Sequence, residues 1–132
     1  MLGYYKDPEA TAAVIDKDGW FHTGDLARVD EDGYYYITGR KKNLIILGTG
    51  ENVSPEELER RLNACPEVQE CVVREMGKRI GALICCAEEK QAEVRAFITG
   101  LNRTLPLYQR ITAVEFSTEP LPRNAMGKLL RR

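Results

Sequence analysis

The chain has no apolar run approaching the ~20 residues that span a bilayer, which excludes a transmembrane helix on sequence grounds. It also lacks a charge bias. The formal net charge is −1, so no global field draws it to nucleic acid or to an acidic membrane surface. Histidine is nearly missing, with His22 alone, and the four cysteines (Cys65, Cys71, Cys85 and Cys86) form no C-x-x-C pair. A zinc site is thereby disfavoured, and the expected metal ligand set is none. No G-x-x-x-x-G-K-[ST] loop is present, which removes the P-loop nucleotide folds. The opening Met1-Leu2-Gly3-Tyr4-Tyr5-Lys6-Asp7-Pro8 has no signal-peptide pattern. With cysteines expected as buried free thiols, this points to a reducing, cytoplasmic setting.

What is there is an ordinary globular composition, 43% hydrophobic and 30% charged, in 132 residues. That length fits one domain, or a small domain plus a piece of another. The first forty residues are turn-rich and aromatic, with a hairpin expected where apolar runs flank Asp30-Glu31-Asp32-Gly33. A two-stranded hairpin is marginal alone in water, so this region is expected to lean on another body. A short strand is expected over 44–47, broken by Gly48-Thr49-Gly50. A helix then starts at Ser54-Pro55-Glu56-Glu57, where serine, proline and glutamate occupy N-cap, N1 and N3 and predict a capping box.

Leu58, Leu62 and Cys65 give this helix its apolar side, with Glu56/Arg60 and Glu57/Arg61 expected as pairs on the wet side. Strands over 68–74 and 80–87, a helix over 90–104 and a strand over 112–116 follow. Adjacent Cys85 and Cys86 would then point to opposite faces of a strand. The fold class is α/β (α+β): a small three-stranded sheet with flanking helices and a β-hairpin, preceded by a separate hairpin segment. The chain closes on Leu121-Pro122-Arg123-Asn124-Ala125-Met126-Gly127-Lys128-Leu129-Leu130-Arg131-Arg132, read as a flexible stretch carrying one lysine after a glycine.

Three segments carry chemistry together: Trp20-Phe21-His22-Thr23-Gly24-Asp25; Gly39-Arg40-Lys41-Lys42 continued by Gly50-Glu51-Asn52-Val53-Ser54-Pro55-Glu56-Glu57; and 122–132 with Gly127-Lys128. In order and spacing, and with the opening Gly3 to Thr11, they resemble the last quarter of adenylate-forming (AMP-binding) enzymes, in particular long-chain fatty acyl-CoA synthetases. The resemblance implies two domains: 1–41 as the end of the large AMP-binding domain and 42–132 as the mobile small domain. The upstream phosphate loop, adenine site and acyl pocket of such enzymes do not occur here. The chain therefore reads as the C-terminal piece of a longer ligase, inactive alone, whose partner is the missing N-terminal large domain.

The resemblance also implies roles. Asp25 holds the ATP ribose hydroxyls, as a carboxylate accepting from a diol can. Arg40 contacts ribose or phosphate, its planar fork suiting oxygen pairs. Lys42 is the hinge between the two half-reactions, and Gly50 (or Gly48) lines the tunnel for coenzyme A. Lys128 is the catalytic lysine of adenylation, a cation placed where charge shifts in the transition state. The substrates would be a small-molecule carboxylate, ATP with Mg2+ held mainly by the missing domain, and coenzyme A. Two other readings stay open from these residues: a piece of an adenylation domain that loads a carrier protein, and a non-catalytic module binding nucleotide or coenzyme A.

Overall fold

A computed structural model describes residues 1–131. The chain divides into two units, residues 1–42 and 43–131. In the first unit, a helix missed by the sequence reading starts where an acceptor and a proline meet. Asp7 caps it by accepting from the Ala10 amide (2.9 Å), Pro8 occupies the first turn, and α1 runs Pro8–Val14. A loop wound on Asp16 follows: Asp16 Oδ1 accepts from the amides of Asp18 (3.0 Å) and Trp20 (2.9 Å), and Oδ2 lies 2.9 Å from His22 Nε2. The expected hairpin then forms, with β1 (Asp25–Val29) antiparallel to β2 (Tyr35–Arg40). Its register shifts between Leu26 and Ala27, where Thr38 is the additional residue, so the strands close with Asp25 opposite Arg40.

The second unit opens with the two-residue strands β3 (Ile45–Ile46) and β4 (Asn52–Val53), which pair antiparallel; the strand expected over 44–47 is thus shorter. α2 follows (Pro55–Leu62). The capping box does not form, because the Ser54 hydroxyl donates to Glu56 Oε2 (3.2 Å) and its side chain does not cap the helix. Glu57 and Arg61 pair at 3.0 Å as expected, but Glu56 turns away from Arg60 to accept from Asn43 (2.6 Å) and face Arg131 (3.4 Å). β5 (Glu70–Met76) and β6 (Arg79–Cys85) make a hairpin closed by Gly77 and Lys78. Both have positive φ, 57° and 65°, as a two-residue turn matched to strand twist demands. The helix α3 (Gln91–Thr104) then returns the chain so that β7 (Ala113–Ser117) pairs parallel to β6. Asn102 clamps that return, donating to the Ile111 carbonyl (2.8 Å) and accepting from its amide (2.9 Å).

Strand alternation sorts the sheet's residues between two cores. Val73, Ala82, Ile84 and Cys86 join Leu58, Leu62, Val94 and Ile98 under the helices, whereas Val72, Leu83 and Cys85 meet Leu121 and Leu129 on the opposite face. Cys85 and Cys86 therefore do point apart. All four cysteines are free and buried, and burial raises the pKa of Cys85 and Cys86 and pushes that of Cys71 up to about 12, with Glu59 adding to the rise. These thiols are packing groups rather than nucleophiles. No helix of the described residues is long and apolar enough to cross a membrane.

Two tests follow from this packing. Leu62 is fully buried, and Leu62→Ala should cost about 2–5 kcal/mol in urea unfolding. Leu107→Ala, at a position 78% exposed, should stay within about 0.5 kcal/mol. In the first unit, the Trp20 amide and then His22 lower the Asp16 pKa. A depressed folded pKa means the unfolded chain takes the proton first. The contribution of Asp16 is therefore complete above the ordinary carboxylate value and lost as pH falls through the lowered one. The Trp20 amide resonance should titrate with a midpoint below that ordinary value, and Asp16→Asn should abolish the transition. A midpoint at the ordinary value would refute the loop's role.

Candidate functional site

The site residues foreseen from sequence fall on both units: Asp25, Arg40 and Lys42 on the first, Gly50 and Lys128 on the second. Strand register brings Asp25 and Arg40 together, since they are cross-strand partners at the open end of the hairpin. Arg40 Nε lies 2.7 Å from Asp25 Oδ1 in a half-exposed ion pair. Gly24, at φ +74°, turns the chain into the strand, and its carbonyl accepts from the Lys41 amide (2.9 Å), which extends the ladder by one bond. Thr23 supports the same turn by accepting from the Asp25 amide (3.1 Å). An open cavity of about 410 Å³ is lined by Thr23, Gly24, Arg40, Lys41 and Lys42. Its three cations make it a place for an anion. Lys42 sits in the single helical turn Lys41–Asn43, at the last position of the first unit.

In the second unit, Gly50 occupies the tip of the β3–β4 hairpin with φ +93°, while Gly48 has no positive φ. Backbone geometry thus singles out Gly50 as the position that needs glycine. Beside it, Glu51 Oε2 is buried without a hydrogen-bond partner among the described residues, where an incoming donor would be satisfied.

The segment 122–130, expected to be flexible, is instead a closed loop. The Asn124 amide donates to the Lys128 carbonyl (2.9 Å), and the Asn124 side chain accepts from the amides of Met126 (3.0 Å) and Lys128 (2.9 Å). Gly127 takes φ +77° at the turn, and the Leu130 amide donates to the Pro122 carbonyl (2.9 Å). Lys128 is exposed on this loop, and no carboxylate among the described residues pairs with it. A cation held by its backbone and left without a partner is available to an anionic ligand.

The sequence reading missed one feature, a groove of about 280 Å³ lined by Leu47, Lys78, Arg79, Ile80, Leu107, Tyr108, Arg110 and Thr112. Lys78-Arg79 and Tyr108-Gln109-Arg110 are the traces it leaves in sequence, 30 residues apart and brought together by the parallel pairing of β6 with β7 and the bond from the Thr112 amide to the Ile80 carbonyl (2.9 Å). No group of three or more His, Cys, Asp or Glu side chains among the described residues could hold a metal ion.

These geometries meet known proteins along nearly the whole chain. Residues 42–132 match the family model of the AMP-binding enzyme C-terminal domain. A feruloyl-CoA synthase of Amycolatopsis is 40% identical over an alignment covering 99% of this chain and 27% of that protein. A long-chain-fatty-acid–CoA ligase of Bacillus subtilis is 39% identical, with 100% and 24% covered. Among solved structures, the anthranilate CoA ligase AuaEII in complex with anthranoyl-AMP superposes with a TM-score of 0.79 at 33% identity, over 97% of this chain and 25% of that one. The chain spans about a quarter of the length of these relatives. It belongs to the AMP-binding enzyme family, in which it matches the C-terminal domain of acyl-CoA ligases.

Proposed function

We propose that this chain is the C-terminal part of an ATP-dependent acyl-CoA ligase. A carboxylate attacks the α-phosphorus of ATP to give an acyl-adenylate and pyrophosphate. The thiol of coenzyme A then displaces AMP to give the thioester. The observation that carries this reading is the unpaired Lys128 on its closed, hydrogen-bonded loop. A cation held there can meet the attacking carboxylate, the α-phosphate and the leaving oxygen, and stabilise them most in the transition state.

Asp25 and Arg40 take the ribose and phosphates. Arg40 engages one Asp25 oxygen, which leaves the other for a diol and the remaining guanidinium donors for phosphate. Residues 1–41 are read as the end of the large domain, whose missing body covers the exposed Trp20, Tyr35 and Ile37 and carries Mg2+ with the triphosphate. Lys42 is the hinge about which 42–132 turns between the two steps, absorbing the change in a few backbone angles. After that turn, Gly50 lets backbone approach the pantetheine arm. The groove at Lys78, Arg79, Tyr108 and Arg110 suits the phosphates and base of coenzyme A, offering cations beside an aromatic ring.

The test uses the full-length enzyme. Lys128→Ala should lower ATP–pyrophosphate exchange on the order of 10³-fold. It should spare thioester formation from a synthetic acyl-adenylate. Undiminished exchange would refute the role of Lys128. Arg79→Glu should raise KM for coenzyme A roughly 10-fold or more while exchange persists. An unchanged KM would remove the groove from the acceptor site.

A further inference from the structure

The loop that carries Lys128 is anchored by two carboxylates, one at the start of the sheet's first strand and one in the middle of α2. Glu70, the first residue of β5, accepts from the Leu121 amide through Oε2 (2.8 Å) and pairs with Arg123 through Oε1. Arg123 does not stop there: its other terminal nitrogen donates to the carbonyl of Gly127 at 2.6 Å. One guanidinium thus joins the sheet to the peptide bond that leads directly into Lys128. Downstream, Arg131 meets Glu59 of α2 with both terminal nitrogens, one at 2.8 Å, and Glu59 also accepts from the Val73 amide (2.8 Å). Beside these two anchors, Leu121 and Leu129 are seated against Val72 and Cys85.

Resting on the proposed role of Lys128, we infer that Arg123 and Glu70 are positioning residues for the adenylation step, with Arg131 and Glu59 holding the far end of the same loop. The physical ground is the sharpness of the requirement. A cation that must reach shifting charge in the transition state loses its effect when displaced by about 1 Å. Within the loop Met126 is 78% exposed and fixes nothing, and the apolar side chains that seat it, Leu121 and Leu129, stand at its ends. The planar fork of arginine can bond the Glu70 carboxylate and the Gly127 carbonyl at once in a fixed geometry, which a lysine ammonium on a flexible stem cannot. Arg123 sits 45% exposed, so its removal takes little from the core.

The full-length enzyme carrying Arg123→Ala, Arg123→Lys or Glu70→Gln, with Lys128→Ala alongside, would be assayed for both half-reactions and for Tm. Arg123→Ala should lower kcat of ATP–pyrophosphate exchange on the order of 10²-fold, and Arg123→Lys and Glu70→Gln roughly 10-fold. KM for ATP and thioester formation from a synthetic acyl-adenylate should stay within about twofold, because the lost interaction acts in the adenylation transition state. Tm should be unchanged in the two conservative variants, which keep the inference testable even where Arg123→Ala folds poorly. Equal losses in both half-reactions with a lowered Tm would overturn it in favour of a merely structural anchor. Exchange lost in Lys128→Ala but kept in Arg123→Ala would overturn this inference alone. Exchange kept in Lys128→Ala would overturn the proposed role of Lys128, and this inference with it.

Discussion

A three-stranded sheet with apolar residues on both faces has to be covered twice, and the rest of the second unit follows from that demand. The helices α2 and α3 cover one face through Leu58, Leu62, Val94 and Ile98. Among the described residues of the second unit, no other helix of comparable length is left for the opposite face. The segment after β7 has to serve, and it does so through Leu121 and Leu129 over Val72 and Cys85. Burial of those two leucines is what brings the intervening Lys128 to a defined place. The ion pairs of Arg123 and Arg131 then set its register, since charged pairs at a part-exposed surface add direction more than stability.

Glu59 shows how tightly the pieces are tied. One carboxylate on α2 accepts from the β5 backbone and from Arg131, so helix, sheet and tail share a single group. Burial works against the charge of Arg131, yet Glu59 and Glu56 more than offset it and raise the pKa of its guanidinium. In the first unit the corresponding economy is the hairpin register, whose one-residue shift closes Asp25 against Arg40.

Much of this was legible in the sequence because it depends on local rules. The β1–β2 hairpin was signalled by its acidic turn ending in Gly33, α3 by apolar residues at helical spacing, and the opposed Cys85 and Cys86 by simple alternation. Local rules also failed where a nonlocal partner competed. Ser54 and Glu57 have capping-box chemistry, but Asn43 and Arg131 draw Glu56 aside and the Ser54 hydroxyl follows it. The helix Pro8–Val14 has its signal in Asp7-Pro8, but at seven residues with none buried it shows no apolar periodicity to mark it among turn-rich, aromatic surroundings. The closing segment was misjudged for a similar reason. Polar and small residues suggest flexibility until Glu70 and Glu59, each more than fifty residues upstream, are placed beside it.

The sequence by itself determined the α/β class, the β1–β2 hairpin and the order helix, two strands, helix, strand from Pro55 onward, and it named the candidates for nucleotide chemistry. These are set by side-chain type and by spacing of a few residues. Only the tertiary structure decided that Asp25 faces Arg40, that Lys78, Arg79, Tyr108 and Arg110 share one groove, and that Lys128 stands on a fixed loop. Each of those depends on strand register or on which face of the sheet a distant segment covers. Such pairings are fixed by burial of the whole apolar set at once, and no short stretch of sequence contains that information.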